Sequence, residues 1–415
     1  MLTPPLSLLA QEILDHIVDH LVLPEWDEDL VHLSLTDRAF TPRCQMQIFR
    51  KISLDDDDCT ENEMKKKIKK KWDILQARPS LAKYIRIIIL RLADPQLFDN
   101  LSFVKILNLM KQSCASPHTL EVETEDDRPK RFAAGLLQSS LSQTLTTLHL
   151  TGWKGLPLDI IVVCPNLKYL DVRDIILGDK RKAHMLTKDF RPPKIERFDY
   201  YNSCHLVRRL VKIGPSPAPI VDWSECKILE TSPHERSDMS CVQPILKLTS
   251  HTLEELYLTI PSVSDIPDEK RQFPLKTLVD LELMSNLRIF HIYAGINCRG
   301  KQHTVLDDIS KVLSSIPSPN RFQCFSLRVS IYGRKPFKGC LDEDWEGLCT
   351  QVVRVSGGRS LSFRVVAFIN DHKLDDRFPG DDILYASLEE KVEQSLSPYR
   401  NIKFHFVSAL TWDMQ

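Results

Sequence analysis

Two histidines four residues apart, His16 and His20, each follow an aspartate, Asp15 and Asp19. On a helix that spacing sets both imidazoles on one face, where two neutral rings can share a metal ion. A closed site needs further donors and none stands nearby in the chain, so the pair is read as a solvated face and no metal is assigned. Gly357-Gly358-Arg359-Ser360 has the glycines of a phosphate loop but neither their spacing nor the following lysine, and a turn ahead of the apolar run at Phe363 accounts for it. The chain has no G-x-S-x-G elbow and no H-E-x-x-H helix, and its aspartates come as loop pairs such as Asp307-Asp308 and Asp381-Asp382. With no catalytic constellation and no cofactor motif, the expected work is binding rather than bond chemistry.

At 415 residues, 42% hydrophobic and 27% charged, the composition is that of a soluble chain with two or three domains. A formal net charge of −1 gives no global reason to bind nucleic acid or a membrane surface, so partners must be found by shape. No window reaches the eighteen or so uncharged apolar residues of a spanning helix. The eleven cysteines form no C-x-x-C pair, which leaves no visible zinc framework or disulfide staple and suits the cytoplasm or nucleus.

The elements that must do the binding begin at the amino terminus. Ile13, Leu14, Ile17, Val18 and Leu21 recur at three- and four-residue spacing, which predicts an amphipathic helix with an acidic, histidine-bearing face opposite the apolar stripe. Pro24 breaks it. A second apolar series runs Leu30, Leu33, Leu35, Ala39, Phe40, and a third, Met46, Ile48, Phe49, starts just past Pro42. Three helices this short cannot bury all their apolar surface, so they are expected to dock on something.

The ordered trio Leu9-x-x-Glu12-Ile13-Leu14, Leu33 to Phe40 and Ile48 to Leu54 resembles the F-box, in the form common among fungal F-box proteins. The resemblance covers residues 1–54 and departs from the family at Ala10, where proline is usual. It implies that Leu9, Ala10, Glu12, Ile13, Ile17, Leu33, Leu35, Arg38 and Phe40 bind a Skp-type adaptor, which joins the chain to a cullin-RING ubiquitin ligase. The weaker alternative is that Leu9, Ile13, Leu35 and Phe40 are plain core of a larger domain.

Residues 55–80 read as an acidic loop, Asp55 to Asp58, followed by a helix with Met64, Ile68, Trp72 and Leu75 on one narrow face. Its lysines, Lys65 to Lys67 and Lys69 to Lys71, have the composition of a nuclear or nucleic-acid signal, but the unbroken helical period makes them a solvated face. From Leu81 strand-like runs alternate with helical ones. The spacing L-x-x-L-x-L appears at Leu145, Leu148, Leu150 and returns twenty-two residues on at Leu167, Leu170, Val172. It recurs at Ile195-Phe198-Tyr200, Leu253-Leu256-Leu258, Leu287-Phe290-Ile292 and Phe322-Phe325-Leu327. Helices are predicted between these, at 101–110, 131–141, 242–248, 305–313, 345–353 and 383–396. This is the cadence of degenerate leucine-rich repeats, which stack into a curved solenoid.

Gly214 to Pro219 is too rich in proline for a ladder strand, and together with the polar stretch Thr231 to Ser240 it is expected to form an insertion near 214–240. Phe363 to Ile369 reads as a buried parallel strand, and Phe404 to Val407 as a last short one. Polar residues inside the strand cadence, His149, Lys168, Arg173, Asp199 and His291, are the candidates for contact with a target protein.

The expected fold class is α/β, with a small all-α amino-terminal unit and an irregular repeat domain over 81–415 that has a parallel strand face. The expected function is the substrate-recognition subunit of an SCF-type ubiquitin ligase, with no enzymatic activity, cofactor or metal of its own. The alternative is a repeat scaffold for protein–protein interaction without ubiquitination.

Overall fold

The computed structural model describes residues 10–21, 27–55, 60–91, 100–124, 140–178, 191–211, 220–232, 236–260, 275–297, 305–332, 338–369 and 379–408. The chain is α/β and falls into two compact units, Met1–Pro193 and Lys194–Gln415.

The first unit opens with helices α1 (Gln11–His20), α2 (Asp27–Thr36) and α3 (Thr41–Ile48). Leu14, Val18, Leu30, Phe40 and Cys44 form a small core among them, with Leu21, Leu33, Ala39 and Ile48 packed against it. An ion pair ties α1 to α3: Arg43 donates from Nε and Nη2 to Asp19 at 2.8 and 2.5 Å, and Gln47 donates to the same carboxylate at 2.7 Å. Those donors, Arg43 first, hold Asp19 below its ordinary 3.8 in spite of partial burial.

Strands β1 (Lys51–Asp55), β2 (Ile87–Arg91), β3 (Thr119–Glu123) and β4 (Thr147–Thr151) follow, then β5 (Lys154–Leu156), β6 (Tyr169–Arg173) and β7 (Ile176–Leu177). β1, β2, β3, β4 and β6 lie side by side in chain order and all pair in parallel, while β5 and β7 make a separate pair. Helix α4 (Glu61–Ala77) starts at a capping box, where Thr60 accepts from the Glu63 amide and Glu63 accepts from the Thr60 amide. Met64, Ile68 and Leu75 are buried beneath it and most of the lysines face out, as a solvated face requires. α5 (Leu101–Gln112) is capped by Asn100 and buries Phe103, Ile106 and Met110.

Two expectations change in this unit. Ile52 and Leu54 are strand residues, so the sheet begins at Lys51, well before the change of cadence at Leu81. Asp55 is not loop but the last residue of β1, 3.5 Å from Arg91, because a strand end leaves its carboxylate beside the neighbouring strand's guanidinium.

In the second unit β8 (Arg197–Tyr201), β9 (Ile228–Ser232), β10 (Glu255–Thr259), β11 (Ile289–Asn297), β12 (Cys324–Tyr332), β13 (Leu361–Ile369) and β14 (Ile402–Ser408) are again parallel and in chain order. Cys204–Val211, Arg236–Leu248, Val305–Ser314, Trp345–Ser356 and Pro379–Leu396 are the main helices between them. The rings of Phe290, Phe325, Phe363 and Phe404 follow one another across the sheet at 5.9, 5.4 and 5.6 Å. The first three are fully buried, each contributing about 1.5–3 kcal/mol of hydrophobic stabilisation. Gly357, left-handed at φ 56°, ends helix Trp345–Ser356 and turns the chain into β13.

The expected insertion near 214–240 is overturned for its described part. Leu229 and Thr231 are buried in β9, and Arg236 opens a helix. Thr231 misled because a β-branched residue packs in a strand as well as valine does. Gly214 to Pro219 and most of the helix predicted over 131–141 lie outside the described residues. The other predicted helices and strands are present, with ends shifted by a few residues.

Ala10 precedes the first residue of α1 with φ −60° and ψ 141°, and its carbonyl accepts from Ile13 and Leu14. Among the described residues its amide donates to nothing. Proline's fixed angle fits this conformation and no bond is forfeited, so Ala10→Pro is expected to stabilise the chain by about 0.4–1 kcal/mol. Urea unfolding of this one variant checks it, and a loss of stability would place the helix start elsewhere.

Candidate functional site

Two surfaces carry the side chains that the sequence singles out. On α1 the buried stripe is Leu14 and Val18, whereas Ile13 and Ile17 are 49% and 39% exposed. Ile13, His16, Ile17 and His20 therefore share one outward face at helical spacing, and the histidines do not oppose the isoleucines as expected. Their rings lie 6.2 Å apart. Among the described residues no group of three or more metal-capable side chains forms, and Asp19 is engaged by Arg43. On α2, Val31 is 44% and Leu35 78% exposed. Ala10, Glu12 and Arg38 are exposed as well, and Leu9 lies outside the described residues.

Phe40 is a correction. Phe40 is buried in the core of the helical trio and so presents no free face, whereas Leu33 packs against that core and stays partly exposed. Val31 was missed. Its signal, four residues before Leu35 on one helix face, was available in the sequence.

The second surface is the sheet face opposite the apolar one. In each L-x-x-L-x-L run the last three residues are buried, outward, buried, and parallel pairing aligns the outward residues into rows. In the first unit Glu121, His149 and Asp171 are register partners across β3, β4 and β6. In the second, Asp199, Glu230, Tyr257, His291, Ser326 and Arg364 line up from β8 to β13. His149, Asp199 and His291 lie on this face, with Arg173 on the same face of β6, but Asp199 is buried beside Arg197 rather than exposed as expected. Lys168 does not hold the expected position. It stands just ahead of β6, its amide donating to Thr146, at the strand's amino-terminal edge.

These rows are laced with charge pairs that sequence reading missed. Arg91 donates to Glu121 from Nη2 and Nε at 2.7 and 2.9 Å, with Asp55 and Glu123 nearby. Arg197 bridges Asp199 at 2.9 Å and Glu230 at 3.0 Å. Buried Asp171 lies 3.2 Å from His149 Nδ1 and accepts from Arg173 at 3.1 Å. Burial alone would raise the Asp171 pKa, but bonds to His149 and Arg173 outweigh it and hold the group below the ordinary 3.8.

Tyr257 stacks on His291 at 4.6 Å and donates its hydroxyl to Glu255 at 3.0 Å. Burial, with that carboxylate beside it, pushes the phenol up to about 12, and burial with the Arg364 charge lowers His291. That direction favours the neutral imidazole, a flat stacking partner, while Glu255 works against it. Tyr293 and Phe368 stack at 5.7 Å with Arg328 over the Phe368 ring. Flat rings and paired charges of this kind give the face rigid contact area and direction.

Asp171→Ala is expected to lose about 1–3 kcal/mol, since it strands two bonded donors on a partly covered face. The folded pKa lies below 3.8, so the carboxylate's contribution is present above pH 3.8 and disappears as the pH falls through the folded value. Denaturant midpoints of both proteins, converging only in acid, check this.

The chain is thus an α/β protein whose strands pair in parallel. No protein-family model matches the chain, and no curated protein matches it. No helix among the described residues is long and apolar enough to cross a membrane.

Proposed function

We propose that this chain is the substrate-recognition subunit of an SCF-type ubiquitin ligase, binding a Skp-type adaptor through α1 and α2 and a target protein through the outward rows of its strands. The observation that carries this reading is the exposure of Ile13, Ile17, Val31 and Leu35 on helices that already own a core. A helix that has satisfied its packing with Leu14 and Val18 has no internal use for a second apolar pair, so the pair suits a partner. The likeness of the same stretch to the F-box supplies the partner's kind.

In this reading the parallel units are degenerate leucine-rich repeats, and β14 with helix Pro379–Leu396 closes the array. The chain does no bond chemistry. It contributes proximity, holding a target near a charged enzyme supplied by other subunits of the cullin-RING ligase. Cytoplasm and nucleus both suit that work.

The test is capture of a purified Skp-type adaptor by the full chain and by Ile13→Asp/Ile17→Asp, followed by reconstitution with the cullin-RING core. The reading expects a stoichiometric complex with the parent chain and a loss of at least ~10-fold in affinity with the variant. Equal capture by both, or none by either, would leave the chain as a repeat scaffold outside ubiquitination.

A further inference from the structure

At the amino-terminal ends of β9 to β13, on the edge of the second unit's sheet, lies a pocket of about 680 Å³. Lys227, Glu254, Arg288 and Gln323 each stand one residue ahead of a strand. Each of the last three donates its amide to the carbonyl of the one before at 2.8 Å, so their side chains form a row at strand spacing. Arg321 and Arg359 reach the same pocket from the turns before β12 and β13.

The cations outnumber their counter-charges. Among the described lining residues Glu254 is the single carboxylate, against four lysine and arginine side chains and His251. It takes one bond from Arg288 at 3.3 Å, while the rest of that guanidinium donates to the neutral Gln323. Among the described residues Arg359 is anchored on neutral acceptors, the Ser356 carbonyl at 3.3 Å and Asn320 Oδ1 at 2.5 Å. Lys227 and Arg321 are exposed, and among the described residues no side-chain acceptor meets either. Two guanidiniums are thus held in place and two further cations are left for a ligand. Buried Phe322 forms part of the wall.

The volume falls within the common range of ligand pockets, roughly 300–1,000 Å³. A monocarboxylate would satisfy one cation and leave the others repelling one another. A phosphate group carries nearly two charges and three acceptor oxygens that match forked guanidinium donors. We propose that this pocket binds a phosphate-bearing anion, presented either on a protein side chain or by a free small molecule. This stands apart from the adaptor reading, for it uses no residue of α1 or α2.

The full chain is titrated calorimetrically at low salt with inorganic pyrophosphate, and separately with a phosphoserine peptide and its unphosphorylated twin. Binding is expected in at least one phosphate arm with Kd below about 1 mM, weakening as salt rises. Lys227→Glu/Arg321→Glu is expected to weaken it by at least ~10-fold with an unchanged thermal midpoint. If that midpoint falls, Lys227→Gln/Arg321→Gln gives the reading. Tighter binding of pyrophosphate assigns a free compound, and tighter binding of the phosphopeptide assigns a modified protein. Silence in both arms, peptide binding equal to that of the unphosphorylated twin with no pyrophosphate binding, or an affinity unmoved in both double variants overturns the proposal.

Discussion

Leu35→Asp is expected to lose adaptor capture while the chain stays folded, and Phe40→Asp is expected to unfold the first three helices. The two residues stand five apart in one apolar series, yet Leu35 is 78% exposed and Phe40 is 4% exposed. A carboxylate at Leu35 stays in water in the free chain, so its folding cost is within about 0.5 kcal/mol. In a complex it would be buried without a partner, which costs several kcal/mol and weakens binding by roughly 30-fold or more. At Phe40 the same substitution removes a ring from the core shared with Leu14, Val18, Leu30 and Cys44 and adds a charge there, costing at least ~3–5 kcal/mol. Circular dichroism melts and adaptor titration of both variants separate the effects. Wild-type affinity in a folded Leu35→Asp chain would sink the proposed docking face.

Stability is expected to fall as pH rises from about 4.5 to 7, and Glu343→Gln is expected to remove that slope. Glu343 is half-buried and accepts the Leu306 amide at 3.2 Å, at the start of helix Val305–Ser314. Burial pushes its carboxyl up to about 7 from the ordinary 4.5; the Leu306 bond works against this, and Asp307, Asp344 and Asp308 add to it. Lys311 is occupied with Asp307 and Asp308 and so offers Glu343 little relief.

A raised folded pKa means that the native state keeps a proton the unfolded chain has released, so folding takes up a proton throughout this window. The stabilisation is complete below pH 4.5 and gone above about 7. The shift sets an upper bound of a few kcal/mol, and solvent screening of a half-exposed group reduces it to about 1–2 kcal/mol. Glutamine keeps an oxygen for the Leu306 amide without the charge. Urea unfolding at pH 5 and pH 8 should show a smaller difference for the variant, and parallel behaviour of the two proteins would rule Glu343 out as the cause.

Helix α1 shows where periodicity stops being informative. Ile13, Leu14, Ile17, Val18 and Leu21 make two overlapping stripes, and either can face a core at helical spacing. Only the positions of α2 and α3 choose Leu14 and Val18, and that choice moves His16 and His20 onto the same face as Ile13 and Ile17. The sheet shows the opposite case. Leu148 and Leu150, Leu170 and Val172, and Phe290 and Ile292 declare by alternation which side is buried, so His149 and His291 could be placed on the outward side before any neighbour was known.

What the sequence determined by itself is thus the parity of the strands that carry the repeating cadence, the parallel α/β class, and most of the helices between strands, because alternation and helical period are properties of one element. The tertiary structure alone decided who meets whom: Arg91 with Glu121, Arg197 with Glu230, Tyr257 with His291, and the basic edge of Lys227, Arg288, Arg321 and Arg359. Those partners lie some thirty or more residues apart, and their alignment depends on register. Register is set by how much chain each intervening helix and loop consumes, and no local pattern records that length.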